Sequence, residues 1–207
     1  TLARLSGLPW IADCRDSRTE PGYPVDPLTW RCNRRLEAAM VRHSTKGLWT
    51  TQVTQAMYAE RYPEVLPSRW AVIENGFDEE NFRDAERGLV TRPLSEPGRI
   101  TLIHSGVLYP RERDPRPFFA ALQALKKSAE ISSTTLKVVL RATGSDDMYR
   151  EMLDQYGISD IVELAPSIGY RAALQEMLCA DGLLLFQAAM CNHQIRAKHY
   201  EYFRANR

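Results

Sequence analysis

Residues 182–205 read GLLLFQAAMCNHQIRAKHYEYFRA. Gly182 to Phe186 is an apolar run with no polar alternation. A strand of that kind is covered on both faces, as strands of a parallel sheet are. It passes through a loop holding Asn192 and His193 into a helix expected from Ala197 to Ala205. A strand apolar on both sides that feeds a helix is the unit of a doubly wound α/β architecture.

The same alternation extends upstream. Ile100 to Ser105 reads as an apolar strand. Pro115 to Lys127 reads as a helix, with Phe118, Leu122 and Leu125 at helical spacing. Leu136–Leu140 and Ile161–Leu164 are further strands. Asp147–Tyr156 and the row Tyr170, Leu174, Met177, Leu178 are further helices. Nearer the start, Trp10–Ala12, Leu48–Gln52 and Trp70–Ile73 read as strands, with helices over Asn33–His43 and Thr54–Tyr62. Residues 83–98 are charged and carry Gly88, Pro93, Pro97 and Gly98, so periodicity lapses there. The expected organisation is a first domain over 1–82, a linker over 83–98 and a second domain over 99–207.

Composition narrows the function. Twenty-seven Lys and Arg against 26 Asp and Glu leave a net charge of +1, which gives no electrostatic argument for nucleic acid. No apolar run is long enough to span a bilayer. The opening TLARLSGLPW has neither an initiator Met nor the layout of a signal peptide, and nothing follows the last helix, so truncation at both ends is expected. Cys14, Cys32, Cys179 and Cys191 form no C-x-x-C pair and are expected as reduced thiols.

Familiar signatures are absent. The eleven glycines form no G-x-G, and there is no phosphate loop, no Asp-x-Asp, no G-x-S-x-G and no helical His pair. No metal site is expected.

Four constellations remain. A strand ends at Gly106, where a backbone can approach a ligand, and Arg113 follows; the alternative is a surface loop with solvated arginines. A second strand ends before Gly144, as a ligand-lining or a plain turn glycine. Lys198 lies in the first turn of the last helix, where free N–H groups favour an anion. Glu201 stands three residues on, able to take both ribose hydroxyls or to form a surface pair with Lys198. Asp13, Arg15 and Asp16 follow the first strand, either facing a cleft or ordering their own loop.

Together these segments resemble the retaining glycosyltransferases of family 4, which have the GT-B fold of two Rossmann-like domains. PWIADCRD (9–16), VIENGFDEENF (72–82), LIHSGVLYPRERDPRPFFAAL (102–122) and NHQIRAKHYEYFRA (192–205) occur in the family's order. The resemblance covers nearly the whole chain, with both outer ends of the two domains missing. It implies a metal-independent transferase without cofactor, moving a sugar from a nucleoside-diphosphate donor to a glycan or lipid-linked acceptor in polysaccharide or envelope synthesis. It further implies a cytoplasmic location with peripheral membrane contact at the inner face. Arg113 would meet the donor diphosphate, Glu201 the ribose, Gly106 and Gly144 the phosphates and base, and Lys198 matches the subgroup signature. His193 stands where the family often has a glutamate, and Arg196 where it has a proline. The family's putative catalytic His would lie upstream of Thr1, so this stretch alone is expected to be inactive. An epimerase on the same scaffold and a non-catalytic sugar-nucleotide-binding remnant are the alternatives.

Overall fold

The computed structural model describes residues 5–89 and 97–207. The chain forms two compact units, Thr1–Asn75 with Met190–Arg196, and Gly76–Ala189 with Ala197–Arg207.

In the first unit three short parallel strands, β1 (Ile11–Asp13), β2 (Lys46–Trp49) and β3 (Trp70–Val72), lie in the order β1-β2-β3. Gly47 of β2 has no side chain, and that lets the Trp70 ring lie against it; an added Cβ would stand 3.0 Å from the ring. Trp49, Tyr58, Val41 and Trp70 form the core beside the sheet. Helix α1 (Pro27–His43) begins six residues before the expected Asn33. Pro27 suits the first helical turn because it has no N–H to leave unpaired there. The Asp26 carboxylate caps the turn, accepting from Thr29 N at 2.7 Å. Helix α2 (Gln52–Arg61) is capped by Thr51, whose hydroxyl accepts from Thr54 N at 3.0 Å.

The second unit begins with a correction to the expected linker. Residues 79–87 form helix α3 (Glu79–Arg87), started by Asp78, which accepts from Glu80 N and Asn81 N. Only Phe82 and Ala85 of this charged segment are buried, which is too few to show a period, yet both are wholly buried among Leu174, Met177 and Tyr202. Residues 90–96 of the expected linker lie outside the described residues.

Four parallel strands follow: β4 (Ile100–Ser105), β5 (Leu136–Arg141), β6 (Val162–Ala165) and β7 (Gly182–Leu183), in the order β6-β5-β4-β7. Helices α4 (Arg116–Lys127), α5 (Asp146–Tyr156), α6 (Tyr170–Cys179) and α7 (Ala197–Ala205) alternate with them. Val138 and Leu140 pack with Phe119, Leu122 and Tyr149, while Val139 packs on the opposite face with Ile103 and Ala165. Burial on both faces confirms the doubly wound expectation. Two details differ. On α4 the buried pair is Phe119 and Leu122, with Phe118 partly buried and Leu125 36% exposed, so the buried face runs through 119 and 122 rather than 118 and 125. Strand β7 pairs only through Leu183, not to Phe186.

The strand order carries the functional consequence. The chain moves outward from β4 to β6, then returns to place β7 on the other side of β4. Between β4 and β7 the winding reverses, and ligands of open α/β sheets bind beyond the carboxyl ends of the strands at that point.

Candidate functional site

The carboxyl end of β4 is Ser105, followed by Gly106 with φ of 118°, a conformation that side chains rarely adopt. Gly106 N donates to Arg141 O at 2.8 Å and Leu108 N donates to Thr143 O at 3.0 Å, tying this loop to the one leaving β5. That second loop turns at Ala142 and Gly144, both at positive φ. Its Gly144 faces Val107 closely enough that an added Cβ would lie 3.3 Å from a Val107 methyl. The two glycines expected near a ligand are thus in one place, on adjoining strand ends.

Lys198 arrives from the other side of the reversal. It stands in the first turn of α7, and a Cβ on Gly106 would collide with its ammonium group. The missing side chain at 106 is therefore what lets a cation reach the strand end. Tyr202, one turn later on α7, stands at the same strand end, where its hydroxyl accepts from Ser105 N at 3.5 Å. Burial pushes the Tyr202 phenol up to about 12, so it remains a hydroxyl at neutral pH.

Arg113 lies in the loop after Gly106. It donates to the Val107 carbonyl at 2.5 Å and covers the Tyr109 ring, 5.0 Å from its centroid. It is held against the loop that carries Gly106. Glu201 accepts from the Tyr170 hydroxyl at 2.7 Å, which fixes the carboxylate to the start of α6. Burial and then the Glu201 contact push the Tyr170 phenol up to about 12. The far end of α7 is also held. Arg204 donates to Glu79 at 2.6 and 3.0 Å and to Glu86 at 2.9 Å, and lies over Phe82.

The other expected residues lie in the first unit. Asp13, Arg15 and Asp16 line a cavity of about 500 Å³ with Cys14, Ser17 and Tyr58. The Arg15–Asp13 pair, at 3.5 Å, is 72% and 60% exposed. Such a pair contributes little to stability. Burial pushes the Cys14 thiol up to about 11, so it is no nucleophile at neutral pH. His193, expected among the donor-binding residues, is bound instead to the first unit. Its ring lies 3.2 Å from the Ser17 hydroxyl, and its carbonyl accepts from Thr51 and Thr54 at 2.7 and 2.9 Å.

Sequence reasoning missed the most saturated group in the first unit. Glu37, wholly buried on α1, accepts from Thr19, Arg34, Tyr58, Tyr62 and Arg61 at 2.7–3.2 Å. Burial opposes ionisation, but the Tyr58, Tyr62 and Thr19 hydroxyls and Arg61 hold the carboxyl below its ordinary range. Among the described residues no group of three or more His, Cys, Asp or Glu could hold a metal ion, and no helix is long and apolar enough to cross a membrane.

No protein-family model matches the chain, and no curated protein matches it in sequence. Solved structures do match in fold. An α,α-trehalose-phosphate synthase (UDP-forming) from Burkholderia xenovorans, in complex with glucose-6-phosphate, superposes with a TM-score of 0.71 at 13% identity, over 98% of this chain and 52% of that one. A sucrose-phosphate synthase from Thermosynechococcus elongatus gives 0.61 at 14%, over 87% and 45%. HepE of Anabaena, in complex with UDP, gives 0.58 at 16%, over 87% and 47%. The chain thus spans about half the length of the structures it matches. The likeness shows the fold: two Rossmann-like units of the GT-B kind found in glycosyltransferases.

Proposed function

We propose that this chain is part of a glycosyltransferase of the retaining, metal-independent family 4 type, and that its second unit binds the nucleoside-diphosphate sugar donor. One observation carries the reading. At the reversal between β4 and β7, a side-chain-free Gly106 and the Lys198 ammonium at the start of α7 stand against each other. A diphosphate fits that chemistry: a backbone it can approach, a cation, and a helix N-terminus. Gly144 and Arg113 border the same loops, and Glu201 would take the ribose hydroxyls.

In the reaction, the bond between the sugar's anomeric carbon and the diphosphate oxygen breaks. A bond from that carbon to an acceptor oxygen forms with the configuration kept, and the acceptor's proton is released. Positive charge at Lys198 and Arg113 would stabilise the departing diphosphate, the place where negative charge accumulates. The complexes of similar folds with UDP favour a uridine nucleotide. The first-unit cavity with Asp13, Arg15 and Asp16 is the proposed acceptor side, and the acceptor is a glycan or a lipid-linked sugar. No cofactor is required, and the enzyme works in the cytoplasm or at the inner membrane face.

Calorimetric titration of UDP, GDP and ADP into the chain without metal, beside Glu201→Ala, tests the reading. One nucleotide should bind, and lose affinity in the variant. A folded chain that binds none of the three overturns it.

A further inference from the structure

Strand β7 stops at Leu183, although the sequence runs on apolar to Phe186. The hydrogen bonds show why. Leu184 N still donates to Ile103 O at 2.8 Å. The next rung of a parallel ladder would join Ser105 N to Leu184 O. Instead, Ser105 N turns to the Tyr202 hydroxyl and Leu184 O is met by the His104 ring, Nδ1 to O at 2.9 Å. Two side chains replace one backbone rung. The two strands therefore part at the end of the sheet where the winding reverses, one residue before Gly106.

His104 is wholly enclosed, 1% exposed, with its ring edge against Phe186 at 5.1 Å between centroids. A carbonyl only accepts, so Nδ1 carries the ring proton and Nε2 holds a lone pair. Nε2 is buried without a hydrogen-bond partner among the described residues.

We infer that His104 is a positioning residue of the donor site: its Nδ1–H takes the Leu184 carbonyl, holds β4 and β7 apart, and so opens the space that Gly106 and Lys198 line. The inference rests on the donor-site reading above. The ring acts as a neutral wedge. Burial first, then the positive charges of Lys198 on α7 and Arg113 in the loop before α4, push its pKa down to about 3, while the Leu184 and Gly106 backbone pulls upward. A protonated ring there would add a third positive charge beside Lys198 and Arg113.

The wedge explains a division of labour within one strand. Gly106, just past the end of β4, gives room, and His104, two residues earlier, sets the width. Neither acts alone, since an ordinary β4–β7 rung would close the crevice that the glycine leaves free.

Two variants separate positioning from mere packing. His104→Asn places an amide donor near the position of Nδ1, while His104→Leu keeps apolar bulk and leaves the Leu184 carbonyl unmet. UDP affinity should fall about tenfold or more in His104→Leu, the effect of one lost buried hydrogen bond, and return to within about threefold of the parent in His104→Asn. In the parent, imidazole nitrogen shifts should report the Nδ1–H tautomer, show no titration between about pH 5 and 8, and move when UDP binds. His104→Leu binding as well as the parent, His104→Asn rescuing nothing, or a ring titrating like a free histidine would each overturn the inference. A parent that binds no nucleoside diphosphate removes the donor-site reading and this one with it. The tautomer and titration, read without ligand, still show separately whether the wedge itself exists; they survive failure of the ligand assignment and settle the two questions apart. If either variant fails to fold, the parent's nitrogen shifts decide alone.

Discussion

The two units handle buried charge in opposite ways. In the first, Glu37 is enclosed by five donors from its own unit, and Arg61 lies 3.2 Å from Glu37 and from Glu20. In the second, Lys198 is brought to a strand end where a glycine has no side chain, beside a histidine that stays neutral. A carboxylate ringed by donors has no capacity left for a ligand. Lys198 stands instead beside space that Gly106 leaves at a strand end. The first arrangement holds a fold and the second borders the proposed site, and each perturbs the groups around it.

The largest effect should come from breaking the saturated side. Glu37→Ala leaves three buried hydroxyls without this acceptor and takes the carboxylate from the partly buried Arg34 and Arg61, and should cost about 3–5 kcal/mol. All four tryptophans, Trp10, Trp30, Trp49 and Trp70, lie in the first unit. The loss should therefore appear in the denaturant midpoint followed by tryptophan fluorescence. A midpoint unchanged from the parent would mean that the five bonds offset only their own desolvation.

On the site side, Lys198→Ala should weaken UDP binding by roughly ten- to a hundredfold, the range of a charge-assisted hydrogen bond, with the tryptophan transition unmoved. Gly106→Ala should reduce binding by about tenfold, since φ of 118° strains an alanine and its Cβ displaces the Lys198 ammonium. Equal affinity in either variant would place the diphosphate elsewhere.

Acid sharpens the contrast further. His104 has a lowered pKa, so the unfolded chain binds the proton first. The second unit's stability is full above the unfolded value of about 6.5 and falls as pH drops towards about 3. Glu37 is likewise depressed, but its contribution is lost only below the ordinary glutamate range, about pH 4.3. Amide exchange at Val138–Leu140 should therefore accelerate at a higher pH than the one at which tryptophan fluorescence changes. Simultaneous change in both would dissolve the distinction. The smallest effect belongs to Arg15→Ala, whose exposed partner Asp13 should release less than about 0.5 kcal/mol.

Much of the second unit was legible. Ile100–Ser105 and Ala197–Ala205 were read with the bounds observed, because apolar runs covered on both faces and a helix after a polar loop are strong patterns. The places of Gly106 and Gly144 in the loops after strand ends, and of Lys198 in the first turn of a helix, follow from the same patterns, while their roles at a donor remain the proposal. What escaped depends on partners distant in sequence. Glu37 looks like any helical glutamate until Thr19, Tyr58 and Arg61 are brought to it. His104 sat inside a quoted strand, but its role depends on a carbonyl eighty residues later. Residues 83–87 read as linker because Ala85 is the one buried side chain among them and charge surrounds it, although Asp78 was a visible helix start. His193 was assigned by its neighbours in the chain, while its contacts lie with Ser17, Thr51 and Thr54.

Helix α7 is fastened twice near its C-terminal end, by Tyr202 to Ser105 at the end of β4 and by Arg204 to Glu79 and Glu86. A rod held on two sides at one end resists rolling about its own axis. The helix thus presents Lys198 to the end of β4 from a base held on two sides.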